Sequence, residues 1–411
     1  MLCVLWVLHG VVSFRCIPRL LKTLNTTHGS LFHWIPHFTS VINWTLRIGL
    51  GLLNAVAPVT APWIAMMDMT MNIGTKKALV VLRVHLETLS LKGSAIQLED
   101  CECIGLRILE ETNGETISES LTGIFKQAGA PVAVLKDQGA DLARGLRLWK
   151  DTQLQAGATI EVIDDIGHVL ANGLKAQFEK TPVFQKFLTL VTQGAHRLRQ
   201  TPWAHLMPPK IRTKGRFQSI GKLAQWGSQL LALLNNNTNN PSAWGAIRKA
   251  LPGLSRYRKF IQRFATTTQI THDILKELKQ YGLNQTTYEK CKAQAQSLSE
   301  QSILKKRLLH WLERHQSLQA RLTNQHSLLV STDILESLFG KFKRIIERSP
   351  TADINRMALI IPALCGSCVN EQSIKALFST TQHQDINGWE QNNIAYTLRK
   401  KRQAFFRKIQ Q

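Results

Sequence analysis

Three carboxylates stand where their chemistry would be put to use. Asp68 is the only charge in the apolar run PWIAMMDMTM, between Met67 and Met69. A charge inside a strand that reads as buried is costly unless something pairs with it, and a divalent cation is one such partner. Asp137 follows the apolar run PVAVL and Lys136. Glu336 lies in TDILESLFGKFK, whose apolar spacing reads as a helix. Asp68, Asp137 and Glu336 are the expected ligands and catalytic residues of one metal site. Oxygen ligands suit Mg²⁺ or Mn²⁺, and such a set can hold two ions about 4 Å apart. One ion then activates an attacking water or 3′-hydroxyl, and the other steadies the leaving oxygen at phosphorus.

Each residue also has an ordinary reading. Asp68 could mark a bulge or strand end. Asp137, in Lys-Asp-Gln-Gly, could cap the helix that follows the strand, which is compatible with metal binding. Asp141 is its rival and reads as a surface residue. Glu336 could be a solvated helical glutamate.

The elements that must position these groups lie mostly in residues 62–180. Strands are expected over 63–70, 78–86 and 104–111, then a helix over 116–127, a strand over 131–136, a helix over 140–150 and a strand over 159–163. Three strands, helix, strand, helix, strand is the layout of the ribonuclease H-like fold. The first three strands would form an antiparallel meander and the others join by right-handed crossovers. The first and fourth strands then run side by side, which brings Asp68 and Asp137 together at strand ends, where such sheets bind ligands. The fold class expected is therefore α/β, a mixed five-stranded sheet flanked by helices, with a large all-α insertion and a helical N-terminal part.

Charge divides the chain in the same way. The 411 residues carry a net charge of +23, which points to a polyanionic partner. Residues 1–61 hold four basic residues and no acid, and residues 62–180 hold 12 basic and 16 acidic ones. Residues 181–330 hold 23 basic and five acidic residues, and residues 331–411 hold 12 and seven. No acid occurs between Glu179 and Asp273. A mildly acidic module among basic ones suits an enzyme whose carboxylates are neutralised by metal ions. A purely structural nucleic-acid binder has no need of it.

Four regions follow: a helical, incomplete DNA-binding region over 1–61, the first part of a catalytic core over 62–180, a basic all-α insertion over 181–330, and the completion of the core over 331–411. In the first, two basic helices over 11–25 and 38–54 suggest a helix-turn-helix, or else a helical platform packed on the core. Arg15, Arg19 and Arg47 are its expected DNA contacts. In the insertion, Lys210, Arg212, Lys214 and Arg216, and then Arg256, Arg258 and Lys259, are the best phosphate contacts. Seven cysteines in no dense framework suit a reducing cytoplasm. Cys101, Cys103, Cys365 and Cys368 could form a zinc site, but the Cys-x-Cys spacing is poor for it and reduced thiols are the better reading. The start, MLCVLWVLHGVV, imitates a signal peptide but has no basic leader or cleavage site, which suggests the interior of a longer domain. No run reaches the length of a membrane span.

The set Asp68, Asp137 and Glu336, with a helical insertion between the last two, resembles the DDE transposases of the ribonuclease H-like superfamily. Asp165-Ile-Gly-His168 looks like the Cys/Asp-x-x-His motif of the hAT and Mutator-like branches, and residues three apart share a helix face. His168 alone reads as a partly buried core histidine. TDILESLFGKFKRIIERSP, with RMALIIPALCG after it, is similar to the glutamate-bearing helix of bacterial insertion-sequence transposases. The resemblance implies cleavage of DNA at transposon ends and strand transfer into target double-stranded DNA, with two Mg²⁺ or Mn²⁺ ions. It implies a supporting role for Asp165 and His168, a homodimer or higher oligomer on DNA, and a cytoplasmic, nucleoid-associated location in a bacterium. It also implies a tryptophan that stacks on a flipped base, with Trp203, Trp226, Trp244 and Trp311 as candidates. An inactive relic that binds DNA without turnover, a structure-specific nuclease of the same fold, and a non-enzymatic nucleic-acid binder are the alternatives.

Overall fold

The computed structural model describes all residues except 74–75, 93–94, 156, 158, 212–216, 218–219, 236–240, 323–325, 349–353, 367–370, 395–401, 403–404 and 408–411. The chain forms two compact units, one of Met1–Ile163 with Ser331–Gln411, the other of Asp164–Val330.

The first unit is built on strands β1 (Trp63–Ile73), β2 (Lys76–His85), β3 (Glu102–Leu109), β4 (Ala133–Lys136) and β5 (Glu161–Asp164), in the order β3-β2-β1-β4-β5. β1 pairs antiparallel with β2, Trp63 opposite His85, and β2 antiparallel with β3. β1 pairs parallel with β4, Ile64 beside Ala133 through Met67 beside Lys136. This is the ribonuclease H-like sheet. β1 lies at its centre, and a central strand covered on both faces needs an unbroken apolar sequence; Trp63 to Met67 are all buried.

The helices of this unit are α1 (Leu2–Leu8), α2 (Cys16–His28), α3 (Phe38–Asn54), α4 (Leu86–Lys92), α5 (Gly114–Ala128) and α6 (Ala140–Gln155). Strand alternation sends Trp63, Ala65, Met67 and Val134 to one face, where they pack with Leu121 and Phe125 of α5 and Leu146 and Trp149 of α6. Phe125 and Trp149 lie 4.5 Å apart by ring centroid.

The expected helix-turn-helix is not formed. The helix begins at Cys16 rather than residue 11, with Pro18 tolerated in its first turn. Residues 29–37 separate α2 from α3, far more than the three or four of such a turn. α3 buries Val41, Leu46, Ile48 and Leu50 and packs on β3. A Cβ on Gly49 would fall 1.7 Å from the Leu359 carbonyl oxygen, so only glycine fits there. α3 is thus a platform helix of the sheet unit.

The second unit consists of α7 (Ile166–Phe178), α8 (Pro182–Leu198), α9 (Gly221–Asn235), α10 (Pro241–Ala250), α11 (Arg258–Tyr281), α12 (Gln285–Gln296) and α13 (Ile303–Leu322). Its core is aromatic: Phe178, Phe184, Phe187, Phe260 and Phe264 form one set, Phe260 stacked on Phe264 at 5.5 Å. The chain then returns to the first unit with α14 (Asp333–Glu347), α15 (Ile354–Met357), α16 (Ile360–Ala363), α17 (Glu371–Thr380) and α18 (His383–Asn393). α14 packs on β1, and α3 and α16 on β3. Among the described residues no helix is long and apolar enough to cross a membrane.

Candidate active site

The site begins from the pairing of β1 with β4. Met67 stands beside Lys136 on these parallel strands, so the next residues, Asp68 within β1 and Asp137 just past the end of β4, lie at the same level. Met67 faces α5 and α6, and alternation turns Asp68 to the opposite face with Ile64 and Met66. Asp137 continues the parity of Ala133 and Leu135. Both aspartates are half-buried.

Backbone amides orient the two carboxylates. Asp68 Oδ1 accepts the Met69 N–H at 2.6 Å, and Asp137 Oδ1 accepts the Gly139 N–H at 2.9 Å. The second bond closes a turn ahead of α6, which begins at Ala140. Gly139, whose carbonyl accepts from the Ala143 N–H, stands in the N-cap position, so Asp137 shapes the turn and is not itself the helix cap. Lys136 is buried and donates from Nζ to the Asp137 carbonyl oxygen at 3.1 Å.

Glu336 is in the first turn of α14, which buries Leu335, Leu338, Phe339 and Phe342. Its own side is exposed. Asp333 shares that first turn, three residues earlier, on the same face as Glu336. Its signal in the sequence is the acid spacing in Thr-Asp-Ile-Leu-Glu.

These donors fit a hard divalent cation in kind, since all are carboxylate oxygens, and α14, which carries Glu336, packs on β1. They are not already gathered: among the described residues no three His, Cys, Asp or Glu side chains are arranged to hold a metal ion. The same holds for the thiols. Cys101, Cys103 and Cys365 are buried and free, and Cys368 lies outside the described residues. Burial pushes the Cys101 and Cys103 thiols up to about 12 and Cys365 well above its ordinary value. At these values the three thiols are protonated near neutral pH.

Asp165 and His168 belong to the second unit. Asp165 is buried, and its Oδ1 accepts both the His168 N–H at 2.8 Å and a bond with His168 Nδ1 at 3.0 Å. The pair is therefore formed, with Asp165 as the N-cap of α7. The residue before it, Asp164, is held by α13. Trp311 Nε1 donates to its carbonyl at 3.0 Å, and Arg314 meets its carboxylate at 3.1 Å.

The expected DNA contacts divide. Arg15, Arg19, Lys210, Arg256, Arg258 and Lys259 are exposed. Arg212, Lys214 and Arg216 lie outside the described residues. Arg47 is a correction: it donates to the carbonyls of Thr381 at 2.7 Å and Phe378 at 2.6 Å, and lies over the Phe378 ring. Its charge ties α3 to α17 instead of facing a phosphate. Of the tryptophans, Trp311 is buried and Trp226 donates to the Leu206 carbonyl. Trp203 is half-buried, and the side chain of Trp244 is outside the description. Trp34, which the sequence reading did not single out, is 64% exposed.

No protein-family model matches the chain, and no curated protein matches it. The chain is similar to a solved structure of the Drosophila P element transposase strand transfer complex, at a TM-score of 0.43 and 12% identity, over 87% of this chain and 90% of that one.

Proposed function

We propose that this chain is a DDE-type DNA transposase, one that cleaves DNA at transposon ends and joins the freed 3′-hydroxyl to target DNA. The observation that supports this reading most is the pairing of Met67 with Lys136, which sets Asp68 and Asp137 level on adjacent parallel strands. Asp68, Asp137 and Glu336 would hold Mg²⁺ or Mn²⁺, and Asp333 is the further carboxylate within one helical turn. Bound there, the ions supply activation of the attacking oxygen and stabilisation of the leaving one. The chain's own part is to present the carboxylates on one face of a rigid sheet and to hold Asp137 in its turn.

The acid-free stretch from Lys180 to His272 is the expected grip on the DNA backbone. Asp165 and His168 carry a supporting role in this reading. Two ends must be brought together, so the active form is a dimer or larger assembly. An insertion-sequence element of a bacterium is the expected setting.

The test is a cleavage assay on end-labelled DNA carrying the element's terminal repeats, wild type against Asp137→Ala. Cleavage that needs Mg²⁺ or Mn²⁺ and is lost in the variant is the expected result. Tight binding without cleavage by either protein would select a DNA-binding relic instead. Preferential cutting of branched DNA would select a structure-specific nuclease.

A further inference from the structure

Between the end of α10 and the start of α11 the second unit has a cavity of about 500 Å³. Arg248 and Arg258 line it from opposite elements, with Ser255, Pro252 and Gly253 between them. The lining is mainly polar, unlike the phenylalanine core of this unit. Gly253 has φ 78°, the left-handed conformation that favours glycine, and the chain turns there into the short helix Leu254–Tyr257. That turn places Ser255 and Arg258 in the lining of the cavity together with Arg248. Residues 248–263 carry Arg248, Lys249, Arg256, Arg258, Lys259 and Arg263 and no acid. A concave site with like charges on its walls and low-dielectric flanks focuses the field on an anion. Guanidinium forks match the oxygens of a phosphate in pairs, and a serine hydroxyl can serve a third oxygen.

We infer that this cavity is a phosphate pocket that seats one phosphodiester of the DNA strand, held by Arg248 and Arg258. The inference rests on the reading of the chain as a DNA-acting protein and names where in the basic unit the backbone is held. It adds Arg248 and Ser255, which the charge clusters of the sequence do not single out. A single phosphodiester carries one negative charge and no base identity, so the contact fixes register without reading sequence.

The experiment measures binding of a duplex oligonucleotide across a salt series by full-length protein. The background is Asp137→Asn without divalent ions, so that failure of the cleavage reading leaves this result legible. Arg248→Ala and Arg258→Ala are each expected to lower the slope of log affinity against log salt by about one, equally for unrelated sequences. Arg248→Lys keeps the charge and is expected to recover most of the slope. Melting temperatures report folding of each variant. Inorganic phosphate and a nucleoside triphosphate are titrated in parallel. An unchanged slope in both alanine variants, or no DNA binding by the parent, overturns the inference. Micromolar binding of a free phosphate compound that the alanine variants lose, with the DNA slope intact, also overturns it and assigns the pocket to a soluble ligand.

Discussion

His315 Nε2 accepts the backbone N–H of Asp164 at 3.1 Å. The other ring nitrogen, Nδ1, is 2.8 Å from the Trp311 carbonyl oxygen, and the imidazole stacks on the Trp311 ring at 4.2 Å. The ring can accept from Asp164 only while neutral, with its proton on Nδ1. Burial is the main cause that pushes the His315 pKa down to about 4, with Arg314 and His310 acting the same way and the Trp311 carbonyl and Asp164 opposing.

A pH dependence of stability follows. The folded pKa is below the ordinary histidine value of about 6.5, so the folded state binds fewer protons and stability rises with pH between the two values. The contribution is complete above about pH 6.5 and is lost as pH falls toward 4, on the order of 3 kcal/mol in all. Thermal melts between pH 7.5 and 4.5 should show it, and His315→Gln, which does not titrate, should flatten that part of the profile. An unchanged slope in the variant would refute the assignment.

Asp137 does two jobs in this reading, and two substitutions separate them. Asp137→Asn keeps an oxygen to accept the Gly139 N–H, whereas Asp137→Ala removes it. Both are expected to abolish metal-dependent cleavage with DNA binding retained. Only the alanine variant should lose stability, by about 1 kcal/mol, the usual net worth of one hydrogen bond. Asp68→Asn and Glu336→Gln should match Asp137→Asn in activity, and a chelator should stop the wild-type reaction. Full cleavage by the three variants would remove these residues from the site.

Arg47 and Gly49 are expected to matter for stability alone. Arg47→Ala gives up two charge-assisted bonds to carbonyls and should cost about 2 kcal/mol, while the salt dependence of DNA binding stays as it was. Gly49→Ala places a methyl group against the Leu359 carbonyl; the backbone must shift, at a cost of roughly 1–3 kcal/mol. Denaturant titration reads both.

Thiol reactivity should follow burial. The thiolate is the nucleophile, so Cys101, Cys103 and Cys291, all pushed up to about 12, should alkylate slowly in the native protein at pH 8. Half-buried Cys16 should react first among the described cysteines. Peptide mapping after timed iodoacetamide treatment gives the order, and rapid labelling of Cys103 in folded protein would contradict it.

Much of this architecture could be read from local pattern. An apolar run interrupted by one carboxylate marks β1, and PVAVL marks β4; both are short-range signals, and their neighbourhood follows from the order of elements. The inward turn of Arg47 could not be read, because its partners lie more than 330 residues away and a basic residue on an amphipathic helix looks the same whether it meets a phosphate or a carbonyl. The same limit hid the close approach of Gly49 to Leu359. Asp333 was overlooked for a different reason: two acids in one first helical turn look like a favourable response to the helix dipole, and only the packing of α14 on β1 gives them a second meaning.

The discontinuity of the sheet unit has a consequence during synthesis. Thr381 emerges from the ribosome 334 residues after Arg47, and at roughly 5–20 residues per second that is a delay of about 15–70 s. Through that interval the apolar faces of β1 and α3 wait for α14, α16 and α17, while the basic helices of the second unit are made and can fold. Nascent chains stalled before residue 331 should therefore bind chaperones that recognise exposed apolar strands, and completion of the C-terminal helices should release them.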